Sequence, residues 1–86
     1  MFRLNKTCMA CPEQYDVYYN DHEVGYLRLR HGVFTVDCFE KQVYKASPEG
    51  DGIFMDEERD LYLTEALNAI FIELLENHKE IINEHK

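Results

Sequence analysis

The sequence predicts an α+β protein in which an antiparallel β-meander of three or four strands is followed by one long C-terminal helix. Apolar residues alternate with a period of two through the first half of the chain, and then recur with the period of about 3.6 that a helix requires. The strand-like runs are joined by short connections, which favour antiparallel pairing, because parallel pairing needs crossovers of about a dozen residues.

The chain has 86 residues, which fits one domain. We divide it into an N-terminal segment (1–13), the β-meander (14–46), a loop (47–55) and the helix (56–84). The loop carries Pro and Gly residues that disfavour both a helix and a strand ladder. A chain of this size buries a modest core, so contacts between copies would add stability.

The predicted strands are runs in which apolar and polar residues alternate, as a half-buried strand requires. Asn20 and Asp21 tolerate left-handed backbone and fit a hairpin turn, and His31 with Gly32 supplies a second turn. The last run is either a strand or an extended loop. In order, the runs are QYDVYY, EVGYLRLR, VFTVDCF and QVYKA.

The predicted helix begins at Asp56, which is expected to cap it, and no Gly or Pro interrupts it. Its apolar arc spans roughly 180° and its length is about 40 Å, against roughly 20 Å for a strand. We therefore expect the C-terminal half to overhang, with one apolar seam against the sheet and the other in a homodimer. The alternative is that residues 1–13 cover this surface within one chain. The predicted interface comprises Ile70, Phe71, Leu74, Leu75, His78, Ile81 and Ile82.

The composition disfavours nucleic acid and membranes as direct partners. Nine Lys and Arg against 17 Asp and Glu give a net charge of -8, which favours a basic protein partner over a phosphate backbone. No apolar run approaches the roughly 20 residues of a membrane-spanning helix, and the start lacks the apolar core of a secretory signal. These features predict a cytoplasmic protein whose three cysteines stay reduced.

The cysteines also suggest a zinc site. Cys8 and Cys11 have the C-x-x-C spacing with which two thiolates hold one tetrahedral metal. Cys38 and His31 would supply the other ligands if the N-terminal segment lies beside their hairpin. The alternative is ordinary reduced thiols, because the sequence has no second pair with zinc-ligand spacing.

The most anionic stretch lies at the start of the helix. The loop before it partly matches a calcium loop, but Ser47 stands where such a loop begins with Asp, and a strand precedes it. The acids are then either a solvated surface and helix cap, or a patch that imitates phosphate spacing toward a basic, nucleic-acid-handling protein. The candidate residues are Asp56, Glu57, Glu58 and Asp60.

The other candidate binding surface is the sheet face turned away from the helix, where alternation places Tyr26, Arg28 and Arg30. Aromatic and Arg side chains together are typical of protein-binding hot spots. The alternative is that the two arginines neutralise neighbours such as Asp16 and Asp37 across the strands. The sequence carries no G-x-S-x-G, H-E-x-x-H or phosphate-binding Gly loop, so we expect a protein that is not an enzyme.

Read in order, the motifs CPEQYDV, GYLRLRHG and GDGIFMDEERDLYL resemble a group of small uncharacterised proteins of bacteriophages and Firmicute prophages. They cover residues 11–63, and the apolar end of the helix extends beyond what that group usually has. The group has no assigned activity to transfer. The resemblance implies a phage-type context, and with it a protein that binds and inhibits a host protein such as a nuclease or an anti-phage defence complex.

Overall fold

The computed structural model describes residues 1–7 and 12–83 and contains a five-stranded antiparallel sheet followed by a long helix. Each strand pairs with its neighbour in sequence, as a meander requires. The predicted α+β class is therefore confirmed, with a slightly higher strand count than expected. The elements are β1 (Phe2–Lys6), β2 (Glu13–Tyr19), β3 (His22–Arg30), β4 (Val33–Cys38), β5 (Lys41–Ala46), α1 (Asp56–Asn77) and α2 (Lys79–Ile82).

Strand β1 is the element that the sequence analysis missed. Its apolar residues Phe2 and Leu4 alternate within a run of only five residues, which is too short to stand out. In the sheet they lie on the helix side, and the ring of Phe2 is 6.2 Å from that of Phe71 in α1. The N-terminal strand thus covers part of the helix within one chain, which is the alternative to dimerisation raised from the sequence.

Two-residue turns join strands β2 to β5, and both residues of each turn have a positive φ, as suits the right-handed twist of hairpin strands. Asn20 and Asp21 adopt this backbone as the sequence predicts. The turn between β4 and β5 is unusual, because Phe39 and Glu40 have φ values of 49° and 70°. The Phe39 ring lies 4.6 Å from that of His78, so this turn contacts the C-terminal end of the helix.

The core lies between α1 and the inner face of the sheet, which is the face that the helix covers. Gly25 of β3 allows the helix to approach closely, because a Cβ atom there would lie 2.7 Å from Ile70 Cδ1 and 2.8 Å from the Asp37 carbonyl oxygen. The fully buried apolar residues belong to one cluster, and they are Val17, Val24, Leu27, Leu29, Phe34, Val36, Cys38, Ala66, Ile70 and Leu74.

The predicted long C-terminal helix is confirmed by α1, but the described part of its predicted span, 56–84, is not one continuous helix because it breaks at His78. This residue has φ -142° and ψ 49°, although its N–H still donates to the Leu74 carbonyl at 2.8 Å. The short helix α2 follows, and its Ile81 and Ile82 pack against the core cluster. The break therefore ends the long helix at Asn77.

Candidate functional site

The outer face of the sheet, opposite to α1, is the surface on which the candidate binding residues meet. Because side chains alternate along a strand, burial of Leu27 and Leu29 on the inner face places Tyr26, Arg28 and Arg30 on the outer one. Tyr26 and Arg28 are half-buried by neighbouring strands, and Arg30 is exposed. The structure thus brings together the three residues that the sequence analysis assigned to this face.

Strand register defines the neighbours of these side chains. Tyr26 lies between Asp16 of β2 and Asp37 of β4, and Arg28 lies between Gln14 and Thr35. The Tyr26 hydroxyl donates to Gln14 Oε1 at 2.7 Å, which fixes the ring across two strands. The aromatic ring is therefore held in place, whereas the arginine has polar neighbours without charge directly opposite it.

The proposed neutralisation of the two arginines does not form. Within residues 1–7 and 12–83, neither Arg28 nor Arg30 makes an ion pair with Asp16 or Asp37. Lys45 of β5 lies opposite Thr35, on the same side of the sheet as Arg28. One half of the outer face consequently carries three cations that have no anionic partner among the described residues.

A second aromatic contact on the outer face was missed from the sequence. The Arg3 guanidinium lies 4.4 Å from the centroid of the Tyr18 ring, and register places the two residues opposite each other on β1 and β2. Such a cation–π contact is worth about 0.5–1 kcal/mol at an exposed site. It depends on strand β1, which the sequence analysis had not assigned.

The acidic stretch is not one free patch, because Glu58 is turned toward the loop before the helix. Its Oε1 accepts the N–H of Glu49 at 2.9 Å, and its Oε2 accepts those of Gly50 and Met55 at 2.9 and 3.0 Å. Desolvation would raise the pKa of Glu58, but these three bonds outweigh it and lower the pKa. The carboxylate therefore caps both the loop and the start of the helix.

The other acids of the stretch differ in their surroundings. Met55 occupies the N-cap position, so Asp56 is the first helical residue and not the cap that we expected. The Asp56 carboxylate accepts a hydrogen bond from Arg59 at 2.9 Å. Glu57 and Asp60 are exposed. Only these two of the four predicted residues remain as an acidic surface without an internal partner among the described residues.

A buried carboxylate cluster, which the sequence analysis missed, holds the start of α1 against β2. Glu13 is 1% exposed, and its carboxylate accepts bonds from Arg59 Nε at 2.8 Å, from the Phe54 amide at 3.0 Å and from the Tyr15 hydroxyl. Its own amide donates to the Gly52 carbonyl at 2.7 Å. The residues stand far apart in sequence and show no motif, so only the fold brings them together.

The chemistry of this cluster is that of a structural ion pair. Desolvation would raise the pKa of Glu13, but hydrogen bonds from Arg59, Tyr15 and Phe54 outweigh it and lower the pKa. Desolvation and the bond to Glu13 raise the pKa of Tyr15 to about 12. Every polar atom of the cluster has a partner, so we assign it a role in stability.

The predicted zinc ligands do not converge where the structure describes them. His31 precedes β4 and is exposed, whereas Cys38 ends β4 and is buried on the inner face. A strand of six residues separates them by roughly 20 Å, and ligands of one zinc ion lie about 2.0–2.3 Å from the metal. His31 and Cys38 therefore cannot share an ion. Cys8 and Cys11 lie outside the described residues, and no metal-binding group is found among the others.

Cys38 is a protonated thiol in this environment. Desolvation, followed by the nearby charge of Glu73, raises its pKa to about 11. The thiolate, which is the form that binds metal or attacks a substrate, is accordingly disfavoured at neutral pH.

The predicted dimer residues divide between the core and the surface. Ile70 and Leu74 are fully buried against the sheet, so neither is available to a second chain. Phe71 packs against Phe2, while Leu75 is 41% exposed. His78 contacts the ring of Phe39. A dimer interface on this helix would have to be centred on Leu75. Smaller contributions would come from the half-buried residues of the predicted set, which are Phe71, His78, Ile81 and Ile82.

No protein-family model, curated protein or solved structure matches this chain. Among the described residues, no helix is both long and apolar enough to cross a membrane.

Proposed function

We propose that this protein is a non-enzymatic binding protein that inhibits or modulates a host protein by docking it on the outer face of the sheet. The observation that carries the proposal is a group of three cations, Arg28, Arg30 and Lys45, that lack an anionic partner within residues 1–7 and 12–83 and lie beside the fixed ring of Tyr26. Arg and Tyr are enriched at binding hot spots, because they combine area with directional polar groups. We propose a host protein as the target because the sequence resembles phage and prophage proteins.

The rigidity of this face supports a docking role. Strands β2 to β5 are connected by two-residue turns that hold the side chains in register, and the Tyr26 ring is anchored by Gln14 at 2.7 Å. A surface that is already ordered loses little conformational entropy when a partner binds. The acidic start of the helix supports docking less, because Glu58 and Asp56 already serve internal contacts.

The test is partner capture from a bacterial lysate with two matched double variants, followed by mass spectrometry. The Arg28→Glu and Arg30→Glu variant reverses the charge of the outer face, and the Glu57→Lys and Asp60→Lys variant reverses that of the acidic surface. Glu58 is left intact in both, because changing it would disturb the loop.

We expect one stoichiometric partner that the outer-face variant loses and the acidic-surface variant retains. Purified partner should then show reduced activity with the native protein and full activity with the outer-face variant. Loss of the partner in the acidic-surface variant alone would overturn the outer-face proposal and favour a phosphate-mimicking surface. Equal capture by both variants would contradict both mechanisms.

A further inference from the structure

Strand β5 forms one edge of the sheet and is accompanied by a groove along α1. Its only strand partner is β4, so its opposite side presents main-chain groups that no described strand pairs. The groove is lined by Lys41, Gln42 and Val43 from the strand and by Ala69, Ile72 and Glu73 from the helix. An edge strand next to a helix is one arrangement that accepts an added peptide strand.

The floor of this groove is apolar and exposed. Val43 and Ala69 are half-buried, while Ile72 is 55% exposed although it belongs to the helix side that lines the groove. One end is closed by the ion pair between Lys41 Nζ and Glu73 Oε1 at 3.2 Å. Side chains that enter beside Val43, Ala69 and Ile72 would meet aliphatic groups, and those at the other end would meet the ion pair.

The charges that strand β5 carries determine which kind of peptide segment can pair with it. Strand β5 carries Lys41 and Lys45 and no acid, and Lys45 lies on the outer face with Arg28. A second copy of β5 would bring two more lysines to the same edge, so self-pairing is disfavoured by like charge. A segment with acidic residues on its outer side would instead find opposite charge.

We propose that β5 is a binding edge that takes up an extended segment of a partner protein in which apolar and acidic residues alternate. The segment adds as a further antiparallel or parallel strand, with its main chain bonded to β5. Its apolar side chains lie in the groove on Val43, Ala69 and Ile72, and its acidic side chains lie beside Lys45. This surface shares Lys45 with the outer-face docking surface, but binding at the β5 edge does not depend on docking of a folded partner there.

The experiment is a titration of the ¹⁵N-labelled full chain with a short capped peptide of alternating Val and Glu. A peptide of the same composition with the Val and Glu residues in separate blocks is the control for charge alone. We expect chemical-shift changes and slower hydrogen exchange at the β5 amides with the alternating peptide only. The ¹⁵N amide spectrum of each variant named below serves as the check that the variant is folded.

Three variants locate the site. Ile72→Asp and Lys45→Glu should each weaken the alternating peptide roughly tenfold or more, because the first places a charge in the apolar groove and the second reverses the attraction. Lys45→Glu should in addition bind a peptide of alternating Val and Lys better than the native chain does. Arg3→Glu, on the opposite edge of the sheet, is the matched control and should change neither affinity.

Equal binding of the two peptides, or unchanged affinity in Ile72→Asp, would overturn the proposal. So would a dimer in sedimentation analysis whose formation protects the β5 amides, since the edge would then be occupied by a second copy. The Arg28→Glu and Arg30→Glu variant should retain protection of the β5 amides by the peptide. This variant therefore distinguishes a failure of docking on the outer face from a failure of peptide binding at the β5 edge.

Discussion

The two ends of helix α1 are held to the sheet by different interactions. At the N-terminal end, Arg59 pairs with the buried Glu13, and Glu58 accepts three main-chain N–H groups from the preceding loop. At the C-terminal end, Leu74 is fully buried, and burial together with the nearby negative charge of Glu73 raises the pKa of the Cys38 thiol. Hydrogen-bonded carboxylates with lowered pKa values dominate at the first end, so acid should destabilise it. Apolar burial, which includes the Cys38 thiol, dominates at the second end, so alkali should destabilise it through Cys38.

The largest effect is expected from Glu13→Ala, which leaves the Arg59 guanidinium and the Phe54 amide without their buried acceptor. Removing one partner of a buried ion pair costs about 3–5 kcal/mol, and we expect about 3 kcal/mol because Arg59 keeps 25% of its side chain exposed. Urea unfolding measures this change. A double-mutant cycle with Arg59→Ala should reveal strong coupling, and additive losses would contradict the pairing.

At the other end of the helix, stability should fall in alkali because of Cys38. Its pKa rises from 9.0 to about 11 on folding, so its contribution is complete below pH 9 and is lost as the pH rises through 11. The shift corresponds to about 2–3 kcal/mol. Cys38→Val should flatten this part of the pH–stability curve and leave the falls from Tyr15, whose pKa rises to about 12, and from Tyr44, whose pKa is raised by burial. If the pH–stability curve of Cys38→Val is unchanged, the loss of stability in alkali comes from groups other than Cys38.

A smaller and more local effect is expected from Glu58→Gln, which removes the charge that three N–H groups share. Hydrogen exchange should accelerate at the Glu49, Gly50 and Met55 amides, while amides of β3 and β4 keep their protection. Because folding lowers the pKa of Glu58, its contribution is present above about pH 4.5 and is lost as the pH falls further. The native protein in acid should therefore show the same local opening as the variant at neutral pH.

The smallest effect is expected from Lys41→Ala at the C-terminal end. The Lys41 side chain is 63% exposed, so its 3.2 Å pair with Glu73 is screened by water, and Glu73, although only 10% exposed, keeps its hydrogen bond from Asn77. Loss of the pair should therefore cost less than about 1 kcal/mol. The matched comparison is Glu13→Ala at the other end, measured in the same urea series. If the two changes cost the same, burial would not be what distinguishes the two ends of the helix.

Local pattern sufficed for the parts of the molecule that neighbouring residues determine. The alternation of Leu27 and Leu29 with Arg28 and Arg30 determined which side chains reach the outer face, because a strand has a fixed period of two. The Asn20-Asp21 turn followed equally from local backbone preference. These features depend on residues that are adjacent in the chain, so the sequence contains them directly.

Contacts between distant residues were decided by the tertiary structure alone. Glu13 and Arg59 are 46 positions apart, and nothing local to either residue signals a buried pair. The break at His78 has no Gly or Pro to announce it, and it coincides with the contact between His78 and Phe39 of a distant turn. Such pairs form only when the sheet and the helix pack. The sequence by itself determined strands β2 to β4, the start of the long helix and the faces of those strands, but not β1 or α2. Packing decided where the helix ends and which charges remain available to a partner.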